Sequence, residues 1–345
     1  MKYVLMEYAD HNNYTASSKA RNDAVRILRK KGAVYIPLFK AKSGHLSITI
    51  SILKQCISSA LRLQKGDVVF IQYPYNPQIV NKVLIQVLSL VTKRKKSNLC
   101  ILIHDINSFR FTDRNKKSEK LRQEATLLNK ADHVIAHNDK MIRLLQTHGC
   151  RTQLHNLGYF DYLYDGIMPD ISISSKVKII IAGNLSSDKS GYIYNLPEDD
   201  MLYKLYGVNY EKELDNNCNT EYKGSYSPEE LIPHLEGSFG LVWDGPSIHT
   251  CYGNYGTYLR YNDPHKFSLY IAAGIPVIVW KESAMAEVVE RNHIGLSIKS
   301  ISEISNVVRN VSIQEYNNMR TNVYELREKV ISGQKLSRII DEIDD

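Results

Sequence analysis

Residues 261–280 read YNDPHKFSLYIAAGIPVIVW. The stretch runs from a polar loop through a helix to a Gly-Ile-Pro turn and an apolar strand. Asp263 is suited to cap the helix and Pro264 to occupy its first position. A helix feeding directly into an apolar strand is half of a strand–helix–strand unit. The helix start holds an oddity. His265 and Lys266 stand in the first turn, where the backbone already carries partial positive charge. One reading is a solvated lysine at a small cost. The other is an anion held by the free N–H groups and the lysine together.

Working outward, the same alternation recurs. In the first half, strands are expected at 3–8, 33–39, 68–74, 99–105 and 133–137. The helices between them are expected at 16–32, 46–65, 77–92, 116–130 and 138–148. Residues 157–175 have turn residues and no period, and read as a linker. VKIIIAG (177–183), LYKLYG (202–207), FGLVWDG (239–245) and PVIVW (276–280) restart the strands. Helices fill 228–236, 264–273, 283–292, 301–309 and 313–333. Such alternation implies two mostly parallel, doubly wound sheets with a cleft between them, and ligands at the carboxyl ends of the strands.

At 345 residues the chain is long for one core, with 43% hydrophobic and 23% charged residues. Its net charge of +7 conceals an asymmetry. Residues 1–150 hold 26 Lys/Arg against 10 Asp/Glu, a net of +16, and the remainder nets −9. A basic first half suggests a polyanionic partner. Five cysteines without metal-ligand spacing suggest a reducing compartment and no structural zinc. No signal peptide or membrane span is legible, which gives a cytoplasmic expectation.

Several chemistries lack their motifs. Neither G-x-G-x-x-G after the first strand nor G-x-x-x-x-G-K-[ST] occurs, which argues against a standard dinucleotide dehydrogenase or P-loop NTPase. H-E-x-x-H, G-x-S-x-G and D-x-D are also missing. Six polar loops fall at carboxyl ends of strands: 9–13, 72–75, 104–105, 183–186, 243–245 and 262–268. A leaving diphosphate would be stabilised by the helix N-terminus with Lys266. No nucleic-acid-binding signature is found. The segment 79–96, IVNKVLIQVLSLVTKRKK, joins an apolar helix to a basic run. It reads either as a sheet-covering helix with a solvated end or as a face for anionic lipid.

The blocks SSKARNDA (17–24), LIHDI (102–106), AGNLS (182–186), FGLVWDG (239–245) and GTYLRYNDPHKFSLYIAAGIPVIVW (256–280) carry a family resemblance. Across nearly its whole length the chain resembles bacterial galactofuranosyltransferases of O-antigen and capsular polysaccharide synthesis. It is also similar to the streptococcal glucosyltransferases of adhesin glycosylation. The resemblance implies an α/β GT-B fold: two Rossmann-like doubly wound domains with an interdomain cleft. The first, 1–157, would bind acceptor, and the second, 176–312, would bind the nucleotide-sugar. A C-terminal helix in 313–345 would pack back on the first.

The resemblance further implies a UDP-sugar donor and no metal or other cofactor. It places Asn262, Pro264, His265 and Lys266 at the diphosphate and ribose. Gly183 and Asn184 would line the donor, Lys189 would add charge, and Asp244 would stand near the sugar. In the first domain Lys19, Arg21 and His104 would face the acceptor side. Where relatives often carry an acidic residue after H-D-I, this chain has Asn107-Ser108-Phe109-Arg110. Inverting transfer needs a base. Asp105 is the first candidate, against a capping role, and His11 is the second. The expected partners are a lipid- or protein-linked glycan and an anionic membrane surface on the cytoplasmic side, with no nucleic acid. A homo-oligomer is left open.

Overall fold

The computed structural model describes residues 1–7, 16–38, 45–75, 79–110, 113–169 and 177–344. The chain divides into two compact units. The first is built from Ala20–Gly158, with the first strand before it and the chain from Lys335 after it. The second is built from Tyr159–Gln334, together with Lys19 and the start of its helix.

The first unit carries six parallel strands: β1 (Lys2–Glu7), β2 (Val34–Leu38), β3 (Val68–Tyr73), β4 (Asn98–Ile103), β5 (His133–Ala136) and β6 (Gln153–Asn156). Their order is β2-β1-β3-β4-β5-β6. The connecting helices are α1 (Ala16–Lys30), α2 (His45–Ala60), α3 (Ile79–Lys95), α4 (Arg114–Leu128) and α5 (Asp139–Thr147). β3 is buried at all six residues, as a central parallel strand covered on both faces must be. The chain order reverses between β1 and β3, and their carboxyl ends therefore flank the crevice where ligands of such sheets bind.

The second unit has six more: β7 (Lys178–Asn184), β8 (Leu202–Val208), β9 (Thr220–Tyr222), β10 (Phe239–Val242), β11 (Val277–Trp280) and β12 (Gly295–Ile298). Read from β9, the order is β9-β8-β7-β10-β11-β12, the nucleotide-binding arrangement that reverses between β7 and β10. Its helices are α6 (Ser187–Ser190), α7 (Leu231–His234), α8 (Gly253–Tyr258), α9 (His265–Ala272), α10 (Ala286–Asn292), α11 (Ile304–Arg309) and α12 (Ile313–Ile331). α13 (Gln334–Asp344) belongs to the first unit.

Two glycines show what this packing demands. A Cβ on Gly240 of β10 would lie 2.3 Å from the ring of Tyr270, so only glycine lets α9 press on the strand. The Tyr270 hydroxyl then accepts from Ala182 N–H (2.9 Å) and lies 3.2 Å from the Ile180 carbonyl oxygen. Gly207 is paired with Gly183 across β8 and β7, at φ +143°. A Cβ there would come within 1.7 Å of the Gly183 carbonyl oxygen. We expect Gly207→Ala to cost about 3 kcal/mol or more, from backbone strain and overpacking together, as read by urea unfolding.

The structure corrects several sequence expectations. β6, β9 and β12 were not expected as strands; each is four residues or fewer and sits at or beside a sheet edge, with little apolar signal. The expected helix 228–236 shrinks to α7, because Pro233 falls inside it. The supposed linker contributes Tyr159 and Tyr162 to the core of the second unit. The helix expected over 313–333 is α12, which belongs to the second unit. Val330 O accepts from Tyr162 N–H (3.1 Å), and Arg327 Nε donates to Ala272 O (2.9 Å). α13, the tail of the expected C-terminal segment 313–345, belongs to the first unit. Its Asp341 and Asp344 pair with Lys31 (2.7 Å) and Lys2 (2.5 Å).

Candidate functional site

In the second unit the reversal point is flanked by the ends of β7 and β10. Gly183 and Asn184 close β7, and Gly183 is exposed. The Asn184 carboxamide oxygen accepts from Ser186 N–H (3.1 Å) and Asn209 Nδ2 (3.0 Å), which shapes the loop into α6. At the end of α6, Lys189 places its ammonium 5.5 Å from the centre of the Tyr255 ring. Its carbonyl accepts from Gly245 N–H at 2.7 Å, tying the β7 loop to the β10 loop.

Asp244 follows β10 and is buried. Lys266 donates to it at 2.8 Å and to the Trp243 carbonyl at 3.0 Å. The cation in the first turn of α9 thus has a carboxylate partner inside the protein, and the pair is neutral as a whole. The helix begins one residue later than expected. Pro264 is its cap and makes no side-chain capping bond, so Asp263 is not the N-cap. The carbonyl of Pro264 accepts from Phe267 N–H (2.8 Å).

His265 lies among aromatics, with ring centres 5.0 Å from Tyr162 and 6.1 Å from Phe160. Desolvation, then the nearby Lys19 cation, push its pKa down to about 3, against a backbone hydrogen bond at Asp161. It is therefore a neutral imidazole at physiological pH. Its Nε2 has no partner among the described residues. Asn262 Oδ1 is a second buried atom without a partner among the described residues. Lys19 is buried beside them, donating to Leu163 O (2.8 Å) and lying 4.9 Å from the Tyr162 ring centre. It groups with the second unit and not, as expected, with the first.

In the first unit, His104 and Asp105 follow β4. The His104 Nε2 lies 2.5 Å from Gln72 Oε1. Gln72 spends its amide protons on Met6 Sδ (3.2 Å) and Arg21 O (3.2 Å), so its oxygen accepts from His104. Arg21 in turn donates to the carbonyls of Gln72 (3.3 Å) and Pro74 (2.7 Å). Both carbonyls belong to its own unit. Asp105 is half-buried, and its Oδ1 accepts from Ile106 N–H at 2.9 Å.

Behind Asp105 stands a carboxylate that sequence reading missed. Glu124 of α4 is buried and accepts from Tyr73 O–H (2.6 Å), Asn107 N–H (2.9 Å) and Ser108 N–H (2.9 Å). Burial pushes its pKa up, and these donors oppose the shift. It pins the short 3-10 turn Asn107–Arg110 that follows Asp105. The signal was in the helix period: Leu121, Ala125 and Leu128 are buried, and Glu124 shares their face. His11 lies outside the described residues. Among the described residues no three His, Cys, Asp or Glu side chains converge as a metal-binding group.

Comparison with known proteins follows the same division. The description Glucosyltransferase 3-like, N-terminal domain, matches residues 1–159, and the corresponding C-terminal domain matches residues 179–343. The beta-1,6-galactofuranosyltransferase WbbI of Escherichia coli (strain K12) is 32% identical over 339 residues, covering 96% of this chain and 94% of that protein. Glucosyltransferase 3 of Streptococcus gordonii is 28% identical over 260 residues, covering 74% and 72%. Among solved structures, the lipopolysaccharide outer core galactosyltransferase WaaB superposes with a TM-score of 0.60 at 10% identity, covering 99% of each chain. That likeness is one of fold: two Rossmann-like units of the GT-B type.

Proposed function

The chain belongs to the glucosyltransferase 3-like family of glycosyltransferases, and on that premise we propose that it transfers a hexosyl group from a UDP-sugar to a glycan acceptor. The observation that carries the donor half is the start of α9. Two buried polar atoms, Asn262 Oδ1 and His265 Nε2, lack partners there among the described residues. Orphaned buried polar atoms are costly unless a ligand pairs with them, and the hydroxyls of a ribose or hexose, which both donate and accept, do so. The first-turn amides of α9 and the Lys266 ammonium offer the diphosphate its positive field. Gly183 and Asn184 line the donor, with Lys189 beside them and Asp244 toward the sugar. Transfer runs without a metal, the leaving diphosphate being stabilised by these groups alone.

The favoured donor is UDP-galactofuranose, with β-linked transfer in O-antigen or capsular polysaccharide synthesis. The support is the fuller and higher identity to the relative named as a galactofuranosyltransferase. The alternative is glucosyl transfer from UDP-glucose to a glycosylated adhesin, which the family description itself favours. On the acceptor side, Asp105 removes the proton of the attacking hydroxyl, and His104 and Arg21 order the strand ends around it.

The first test is thermal unfolding of the full chain with UDP, UMP and ADP. UDP at about 100 times its Kd is expected to stabilise by about 2.7 kcal/mol, and ADP by less. Turnover of UDP-galactofuranose against UDP-glucose then separates the two donors. Absence of any UDP shift sinks the donor assignment and leaves a glycosyltransferase-like binding subunit as the better reading.

A further inference from the structure

The solvent face of α2 breaks the rule for a surface helix. Ser47, Ile50, Lys54 and Ile57 are exposed at three- and four-residue spacing, and Leu61 continues the row just beyond the helix end. Such a face is normally polar throughout. Here Ile50 is 45%, Ile57 38% and Leu61 60% exposed, a stripe about 16 Å long at 1.5 Å per residue. α3 packs beside α2 and adds Leu90, also 60% exposed. The two helices end together: Lys95 Nζ donates to Leu61 O (3.1 Å), and Lys96 O accepts from Gly66 N–H (2.9 Å).

The charge around this stripe has one sign. Residues 45–66 and 79–97 contain eight Lys and Arg and no Asp or Glu. None of the eight forms an ion pair among the described residues. Arg62, Lys65, Lys93, Arg94 and Lys96 are exposed around the shared helix ends. The neighbouring carboxylate, Asp67, is buried and accepts from Gln64 N–H (2.8 Å).

We propose that the α2–α3 face of the first unit is a docking surface for anionic lipid, with Ile50, Ile57, Leu61 and Leu90 entering the headgroup layer. The aliphatic row and the basic rim are the two components of an interfacial anchor. A polyanion such as RNA accounts for the cations and leaves the four aliphatics unexplained. The inference is independent of which sugar is transferred.

The test is flotation of the full-length protein with vesicles of phosphatidylcholine alone, or with about a third phosphatidylglycerol. Binding is expected only to the anionic vesicles and is expected to weaken steeply with salt. Lys93→Ala/Arg94→Ala should lower partitioning about 25-fold, at about fivefold for each charge. Leu61→Ser/Leu90→Ser should lower it at every salt concentration. Ile57→Ser, on a different part of the stripe, repeats the test should that pair fail to fold. An unshifted unfolding midpoint shows that each variant is intact.

Absence of flotation with anionic vesicles overturns the proposal. So does equal binding to neutral vesicles with no response to these substitutions. Tight binding to an RNA homopolymer that Leu61→Ser/Leu90→Ser leaves unchanged would assign the face to nucleic acid instead.

Discussion

Lys266→Met is expected to destabilise the protein by about 3–5 kcal/mol in denaturant unfolding, the largest stability loss of any single substitution at the candidate site. The cause is what the substitution leaves behind. Asp244 is buried, and Lys266 is its one ion-pair partner among the described residues. Removing the ammonium strands a carboxylate away from water. The same geometry shows how to separate structure from ligand binding. In Asp244→Asn/Lys266→Met both charges go together, so most of the lost stability should return. The UDP-induced rise in midpoint should still be largely absent from this double variant if the ammonium also serves the diphosphate. A double variant that regains stability and keeps the full UDP response would make the lysine a partner of Asp244 and nothing more.

Asp105→Asn is expected to lower kcat by about 10²–10⁴-fold, the usual worth of a general base, with the KM for donor little changed. The asparagine keeps the shape and can still accept from Ile106 N–H, so the fold should hold. Because Asp105 belongs to the first unit, the UDP shift in unfolding midpoint should equal that of the wild type. This separates loss of the base from loss of the donor site. A kcat within about threefold of wild type would remove Asp105 from the base role. The aspartate would then be read as a loop cap, and Glu124 behind it as part of the same structural turn.

Much of the fold was legible because parallel sheets write themselves plainly. β3, β4, β10 and β11 are buried almost throughout and β7 over its apolar middle, so each appears as an apolar run bounded by polar turns. The short edge strands β6, β9 and β12 lacked that run and went unseen. The site was legible to the extent that it lies where strands end. Gly183, Asn184 and Asp244 do stand at the carboxyl ends flanking the β7–β10 reversal. The strand order itself was not in the sequence, since no local pattern says which strand neighbours which.

The amino-acid sequence by itself determined the class of fold, the family, the basic first half and the short list of polar loops. Each of these follows from local period, composition or a contiguous motif. Tertiary structure alone decided where the charges are spent. It paired Lys266 with Asp244, twenty-two residues apart in the chain. It turned Arg21 onto the backbone of β3 and its following turn, and put Glu124 behind the turn that follows Asp105. It also left buried polar atoms of Asn262 and His265 without partners among the described residues. The physical reason is range. Secondary structure answers to neighbours a few residues away, whereas a buried charge or an unmet hydrogen bond is fixed by whatever distant segment the fold brings within about 3 Å.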